Sequence, residues 1–293
     1  EERIRELTNE IVDKVSEKGS CDFVVDIAAE LPLQVIAEVM GVPMEDRHKV
    51  FDWSNRMIGA EDPEYSVTPE AAMEASMELY AYANALAAEK RAKPHDDIMS
   101  VLLQADVDGE RLSELEFDLF FLLLSVAGNE TTRNLIAHGM LALIEHPDQR
   151  DKLLRNPELL GGAVEEMLRF GTPVMHFRRT ASRGTEIAGA PIAEGDKVVI
   201  WYISANRDET VFPDPHRFDV ERSPNEHVAF GGGGPHFCLG ANLARLEIRV
   251  LFDEVLRRLP DMELAGPVER LRSNFINGIK HMPVSFTPAP ALG

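Results

Sequence analysis

A single cysteine, Cys238, stands near the end of a glycine-rich segment, residues 230–240, in which four consecutive glycines occupy positions 231–234. A metal-binding thiolate is favoured by nearby backbone N–H groups and by the positive N-terminus of a helix. The apolar residues after Cys238 recur mostly every three or four positions, which predicts an amphipathic helix beginning just after the cysteine. Four glycines let the backbone come close to a flat ring. This layout predicts a haem-thiolate site.

Other binding loops make demands that this segment does not meet. A P-loop requires Gly-Lys-Ser/Thr, which does not follow here. A dinucleotide fingerprint requires a third glycine where His236 or Phe237 stands, and a zinc site requires more thiols than Cys238 and the distant Cys21 supply. On the letters of the loop alone, a buried free cysteine beside a tight turn stays open as an alternative.

Four motifs together carry a family resemblance. The loop resembles the haem-binding signature of cytochromes P450, and residues 127–132, Ala-Gly-Asn-Glu-Thr-Thr, resemble the oxygen-activation segment of that family's long central helix. Glu166 and Arg169 match its Glu-x-x-Arg motif, and residues 215–218, Pro-His-Arg-Phe, match its Pro-x-Arg-Phe segment. Because all four occur in the family's order, the resemblance covers nearly the whole chain.

The resemblance implies a mainly α fold with small β-sheets, the cytochrome P450 fold in an N-terminally truncated form. Residues 1–293 are expected to be a single domain that lacks its N-terminal quarter. The chain starts at Glu1 inside a helical pattern, with apolar residues at Ile4, Leu7 and Ile11, so we expect its beginning to be missing. Such a chain should bind haem less firmly than a full-length relative.

The spacing within the cysteine loop departs from the usual family pattern and narrows the resemblance to a subgroup of the family. Most family members place the aromatic residue seven positions before the cysteine, whereas Phe230 lies eight before Cys238. This longer loop, with residues 177–181 and 273–280, is similar to actinobacterial members that hydroxylate sterol side chains and methyl-branched lipids.

The resemblance also implies site residues for haem b. The haem residues are Cys238 as axial ligand of the iron, Arg179 and His236 at the propionates with Arg178 as a substitute for Arg179, and Phe230, Gly232, Gly240 and Ala127 around the ring. Glu130 and Thr131 would relay protons. Glu166, Arg169 and Arg217 would form a structural ion-pair network behind the haem, whereas an exposed surface ion pair is the alternative for Glu166 and Arg169.

The substrate pocket implied by the resemblance is apolar. Its residues are Val126, Ala127, Val174, Met175, Phe275 and Ile276, and each could instead be an ordinary core residue. An apolar pocket fits a lipid or terpenoid better than a sugar or nucleotide. Sterols and branched lipids are the leading class, followed by monoterpenes.

Local signals predict the elements that position these residues. Ser113 and Glu116 form a capping-box pattern for a long helix that Pro147 would stop after Glu145. Gly128, in its middle, is explained either by close packing against another helix or by a local widening of the helix. Residues 184–192 predict a β-hairpin, and residues 197–201 a buried strand.

Composition limits the possible partners. A net charge of −20 argues against nucleic acid and anionic membranes, and two cysteines are too few for a disulfide framework. The most apolar run, residues 119–128, is about half the roughly twenty residues that cross a bilayer. We therefore expect a cytoplasmic protein without a transmembrane segment.

The implied activity is that of a monooxygenase, an oxidoreductase that uses O₂ and electrons from NAD(P)H. The electrons would come through a ferredoxin reductase and a ferredoxin, with an arginine patch as the docking surface: Arg245, Arg249, Arg257 and Arg258. Two alternatives stay open, a peroxygenase driven by H₂O₂ and a haem-binding sensor without catalytic activity.

Overall fold

The computed structural model describes residues 1–65, 68, 70–106 and 108–292, and α-helices dominate them. The ten α-helices found there are α1 Glu2–Ser16, α2 Glu30–Met40, α3 Arg47–Ile58, α4 Ala71–Ala92, α5 Ile98–Gln104, α6 Glu114–Glu145, α7 Pro147–Arg155, α8 Leu160–Gly171, α9 Tyr202–Ala205 and α10 Ala241–Arg258. This confirms the predicted mainly α fold.

Nine short strands form small antiparallel sheets in the same part of the chain. They are β1 Ser20–Asp22, β2 His176–Thr180, β3 Thr185–Ile187, β4 Ala190–Ile192, β5 Lys197–Trp201, β6 Glu263–Leu264, β7 Glu269–Arg270, β8 Ile279–His281 and β9 Pro283–Ser285. Their order is β1-β9-β6 in one three-stranded sheet, with β2-β5, β3-β4 and β7-β8 as pairs.

Helix α6 begins and ends where the sequence predicts. The backbone N–H of Glu116 donates to Ser113 Oγ at 3.3 Å, and the backbone N–H of Ser113 donates to Glu116 Oε2 at 2.8 Å. These reciprocal bonds satisfy amides that have no partner within the first helical turn. The helix then runs unbroken for 32 residues to Glu145.

Gly128 allows α6 to approach α2. A Cβ atom at this position would lie 2.7 Å from side-chain atoms of Ile36. The α-helix continues through Gly128 without interruption, so the predicted local widening is wrong and the packing alternative is confirmed.

Two hydrophobic clusters share α6. The N-terminal half of α6 contributes Phe117 and Phe121 to a cluster with α3, α4 and α5. Its C-terminal half contributes residues such as Leu135 and Met140 to a larger cluster with α1, α8, α10 and β9. Burial of apolar surface on both sides therefore fixes the position of this helix.

The β predictions are confirmed as elements but not in their burial. β3 and β4 form the predicted hairpin, and β5 spans the predicted 197–201. Trp201 is nevertheless 50% exposed, and the other residues of β5 are exposed or half-buried. The prediction of a buried strand is thus wrong. None of the helices in the described ranges is long and apolar enough to span a bilayer.

Candidate functional site

The loop before α10 is held by its own backbone. The N–H of Cys238 donates to Phe230 O at 3.0 Å, and that of Phe237 donates to Gly234 O at 3.0 Å. Helix α10 begins at Ala241, whose N–H donates to Cys238 O at 3.3 Å. Cys238 therefore lies at the N-terminal end of the helix, as predicted.

The surroundings of Cys238 act on its thiol in opposite directions. Burial raises the pKa of Cys238, while a hydrogen bond from the Gly240 backbone N–H and the charge of Arg245 lower it. Burial prevails, and the pKa of Cys238 is raised overall. A positive metal ion is the further charge that would favour the deprotonated sulfur.

The surface around Cys238 fits a flat apolar ring. A Cβ atom added at Gly232 or Gly240 would meet no atom within 4 Å, so this side of the loop is open. Two large apolar side chains flank the cysteine at the surface, Phe237 with 48% and Leu239 with 82% of its area exposed. One sulfur donor in an open apolar setting matches the chemistry of a haem-thiolate site.

The predicted propionate residues lie on two segments. Arg179 is half-buried on β2, and Arg178, its neighbour, is exposed. Arg179 Nη1 donates to Arg178 O at 3.1 Å, and no carboxylate of the described residues lies within 4 Å of Arg179. His236 is exposed in the loop. The arginine thus has donors left for an anionic group.

Glu130 and Thr131 are neighbours in sequence but face different surroundings. Thr131 Oγ1 donates to Ala127 O at 2.7 Å. The half-buried Thr131 follows three exposed residues spaced by four on α6, Leu119, Leu123 and Ala127. The Glu130 side chain, by contrast, is fully buried. The structure therefore places only Thr131 on the open side of the helix.

The Glu130 side chain has a partner that the sequence analysis missed, Arg133, which is held in turn by Asn55. Glu130 forms a buried ion pair with Arg133, whose Nη1 donates to Asn55 Oδ1 at 2.9 Å. Burial raises the pKa of Glu130, and the charge of Arg133 opposes that rise. The i,i+3 spacing of Glu130 and Arg133 could have indicated this pair, whereas the contribution of Asn55 depends on how α3 packs.

Glu166 and Arg169 form a buried ion pair. Their side chains are 0% exposed, and Arg169 donates from Nε and Nη2 to the two carboxylate oxygens at 2.7 Å each. Arg169 also donates to the backbone carbonyls of Asn206, Pro215 and Arg217. The alternative of an exposed surface pair is therefore wrong for Glu166 and Arg169. Their pair instead connects α8 to the chain that follows β5.

The second arginine of this network is Arg222, which corrects the prediction of Arg217. Arg222 Nε lies 3.2 Å from both carboxylate oxygens of Glu166. The Arg217 side chain is 58% exposed and reaches Asp219 at 3.5 Å. Arg217 takes part through its backbone oxygen instead, because its guanidinium points away from the core.

The predicted pocket residues form two groups. Val174 bridges Ile276, and the N–H of Met175 donates to Phe275 O at 2.9 Å. Ile276 is only 2% exposed, so the core alternative describes it. The other group, the half-buried Val126 and exposed Ala127, lies on α6.

Arg245 touches the cysteine loop and is already paired. It donates to both oxygens of Glu165 at 2.7 and 2.8 Å, and its guanidinium lies 4.6 Å from the centre of the Phe230 ring. Burial would raise the pKa of Glu165, but hydrogen bonds from Arg245 and His227 lower it to about 2.

The predicted arginine patch is smaller than expected. The Arg258 side chain is only 4% exposed and pairs with Asp13 at 2.6 Å, so it is not part of a docking surface. The Arg249 and Arg257 side chains are 51% and 58% exposed, each beside a carboxylate. The exposed part of the predicted patch consists mainly of these two residues.

One buried carboxyl group on α10 has no role in these predictions. Glu247 is 3% exposed, and its Oε2 atom has no hydrogen-bond partner in the described part of the chain. Burial raises the pKa of Glu247 to about 8. The folded protein therefore holds this group protonated at neutral pH.

Two curated proteins are about half identical in sequence to this chain. A steroid C26-monooxygenase of Rhodococcus jostii is 50% identical over 288 residues, which are 98% of this chain and 60% of the relative. A methyl-branched lipid omega-hydroxylase of Mycobacterium tuberculosis is 50% identical over 267 residues, 91% of this chain and 62% of the relative. The chain thus spans about three fifths of the length of these curated relatives.

Solved structures share the fold. A Mycobacterium marinum cytochrome P450 in complex with pseudoionone superposes with a TM-score of 0.94 at 43% identity, covering 97% of this chain and 70% of that one. A Bacillus megaterium member in complex with testosterone gives a TM-score of 0.86 at 38% identity, covering 97% and 78% of the two chains. The sequence model of the family described as Cytochrome P450 matches residues 34–260. This chain therefore belongs to the cytochrome P450 family.

Proposed function

We propose that the protein acts as a haem-thiolate monooxygenase that hydroxylates a hydrophobic substrate, a sterol side chain, a methyl-branched lipid or a terpenoid, with O₂. The observation that carries this proposal is the presentation of Cys238 on a closed backbone loop whose glycine side is open. The names of the two half-identical relatives support the substrate class.

Haem b, bound through Cys238, would supply the activation of dioxygen. Arg179 and His236 would bind its propionates through charge-assisted hydrogen bonds. Thr131 holds a proton on Oγ1 at the open face of α6, and the buried Glu130, whose carboxylate is paired with Arg133, is its neighbour on the helix. These two residues would deliver protons to the site.

Apolar side chains would position the substrate. Ala127 is exposed on α6, and Val174, Met175 and Phe275 are half-buried where two segments meet. Such residues exclude water and bind hydrocarbon without directing acid or base chemistry to it. A sterol or branched lipid is the substrate class that this lining favours.

A carbon monoxide spectrum tests the site directly. The reduced, haem-loaded protein should show the strongly red-shifted Soret band of a thiolate-ligated haem, and Cys238→Ser should abolish it, because serine is a poor ligand for the iron. Cys21→Ser is the matched control, because Cys21 lies on β1, opposite Val284 of β9, and not in the cysteine loop. If Cys238→Ser kept the band, or Cys21→Ser lost it, the proposed ligand would be wrong.

We also propose that a ferredoxin delivers the electrons, supplied by NAD(P)H through a ferredoxin reductase. Arg249 and Arg257 are exposed on α10, the helix that starts beside Cys238. Acidic ferredoxins would be attracted to these exposed guanidinium groups despite the carboxylate beside each of them and the net negative charge of the chain.

Charge reversal at Arg249 should slow reduction by a ferredoxin. We expect Arg249→Glu to lower the second-order rate roughly tenfold at low ionic strength, with the difference shrinking as salt is added. Stopped-flow reduction at several salt concentrations measures this. Arg111→Glu, on the connection between α5 and α6 with its side chain 70% exposed, is the control. Equal rates for both variants at every salt concentration would argue against docking on α10.

A further inference from the structure

A cavity of about 170 Å³ lies between the C-terminal ends of α6 and α8, the segment after α9 and the β7–β8 hairpin. Its walls include His138, Glu145, Phe170, Arg207, Arg270 and Asn277. None of these residues is among those predicted for haem, protons or substrate. Polar groups that converge on a cavity are the usual mark of a binding site.

Two arginines of this cavity lack an anionic partner. Arg207 is half-buried and donates to two backbone carbonyls, Phe170 O at 2.7 Å and Ile203 O at 3.4 Å. Arg270 is exposed on β7. Across the described ranges, no carboxylate oxygen lies within 4 Å of either guanidinium, although the whole chain carries a net charge of −20. A guanidinium has five N–H donors, so both arginines have donors left for a ligand.

The imidazole of His138 lines the same cavity as the two arginines. Its Nε2 lies 2.9 Å from Asn277 O, and a carbonyl oxygen only accepts, so Nε2 carries the hydrogen. Burial lowers the pKa of His138 to about 4, and the charges of Arg270 and Arg207 contribute to that fall. His138 is therefore neutral at pH 7, and the positive charge of the cavity comes from the arginines.

We propose that this cavity binds a phosphate group, either as the free ion or as a phosphate ester. Two guanidinium groups face it, and their planar N–H forks match the oxygens of a tetrahedral anion. The two arginines outweigh Glu145, the one acidic residue among the described residues of the wall, so the cavity carries a net positive charge that attracts an anion. The site is independent of the proposed oxygenase chemistry.

Calorimetric titration of the 293-residue chain with inorganic phosphate, at fixed ionic strength, tests the site. We expect saturable binding that Arg270→Gln weakens at least about tenfold, because a charge-assisted pair is lost. Arg272→Gln, two residues along the chain and also exposed, should leave the affinity unchanged. A parallel titration with glycerol phosphate distinguishes the sources: binding of both ligands assigns an ester site, and binding of phosphate alone assigns a free-ion site.

A second readout does not depend on the two arginine variants. The imidazole NMR signals of His138, assigned with His138→Gln, should shift during the titration and saturate at the calorimetric affinity. Absence of saturable binding to both phosphates, equal affinities of Arg270→Gln and Arg272→Gln, or saturation that leaves the His138 signals unmoved would each overturn the proposal.

Discussion

Replacing Glu166 with glutamine is expected to lower the free energy of unfolding by about 3–5 kcal/mol, because it leaves the charge of Arg169 buried without its partner. The carboxylate also accepts from Arg222, from the side chain of Asn225 and from the backbone N–H of Asp219. Glutamine can accept with only one oxygen and presents an NH₂ group to donors. Urea unfolding of the purified chain measures the loss.

The neighbouring Glu165 provides a matched comparison. It also makes a two-pronged pair, with Arg245, but the two side chains are 30% and 33% exposed. Water then takes over part of the lost interaction with Arg245, although the buried His227 also contacts Glu165, so Glu165→Gln should cost about 1–2 kcal/mol, less than Glu166→Gln. Losses of equal size in the two variants would show that burial does not determine the contribution of the Glu166 pair.

Glu247→Gln is expected to remove a pH dependence of stability. The folded pKa of about 8 lies above the value near 4.3 of an unfolded glutamate. Below pH 4 both states are protonated. As the pH rises towards 8, the unfolded state releases its proton and the folded state retains it, so the protein loses roughly 3–5 kcal/mol over this range.

Unfolding of wild type and variant between pH 5 and 8 measures this difference. Glu247→Gln should become progressively more stable than wild type as the pH rises, since glutamine does not titrate. Glu209→Gln, at an exposed position, should follow the wild-type curve. Parallel curves for Glu247→Gln and wild type would mean that Glu247 titrates normally in the folded chain.

Local patterns in the sequence were enough to predict several elements. The capping box at Ser113 and the stop at Pro147 define α6, because caps and prolines act through their immediate neighbours. The glycines before Cys238 and the apolar spacing after it likewise predict the loop and the helix that follows. The Glu166–Arg169 contact is equally local, since residues three apart share a helix face.

Contacts between distant segments were not predictable in this way. The Pro-x-Arg-Phe motif predicted Arg217 as a partner of Glu166, but in the folded chain Arg222 makes this contact. Asn55 reaches Arg133 only because α3 packs on α6. The exposure of β5 depends on which elements pack across the faces of its sheet, which the residues of one strand do not determine.

The backbone bonds within the cysteine loop also bear on how a cofactor is captured. Fixing the backbone of one residue costs about 1–2 kcal/mol in entropy, so a loose loop of this length would weaken binding severely. Here the bond from Cys238 N–H to Phe230 O closes the loop using the protein alone. A ligand of Cys238 would therefore meet a loop whose backbone is already ordered by folding, so less of this entropy cost would fall on binding.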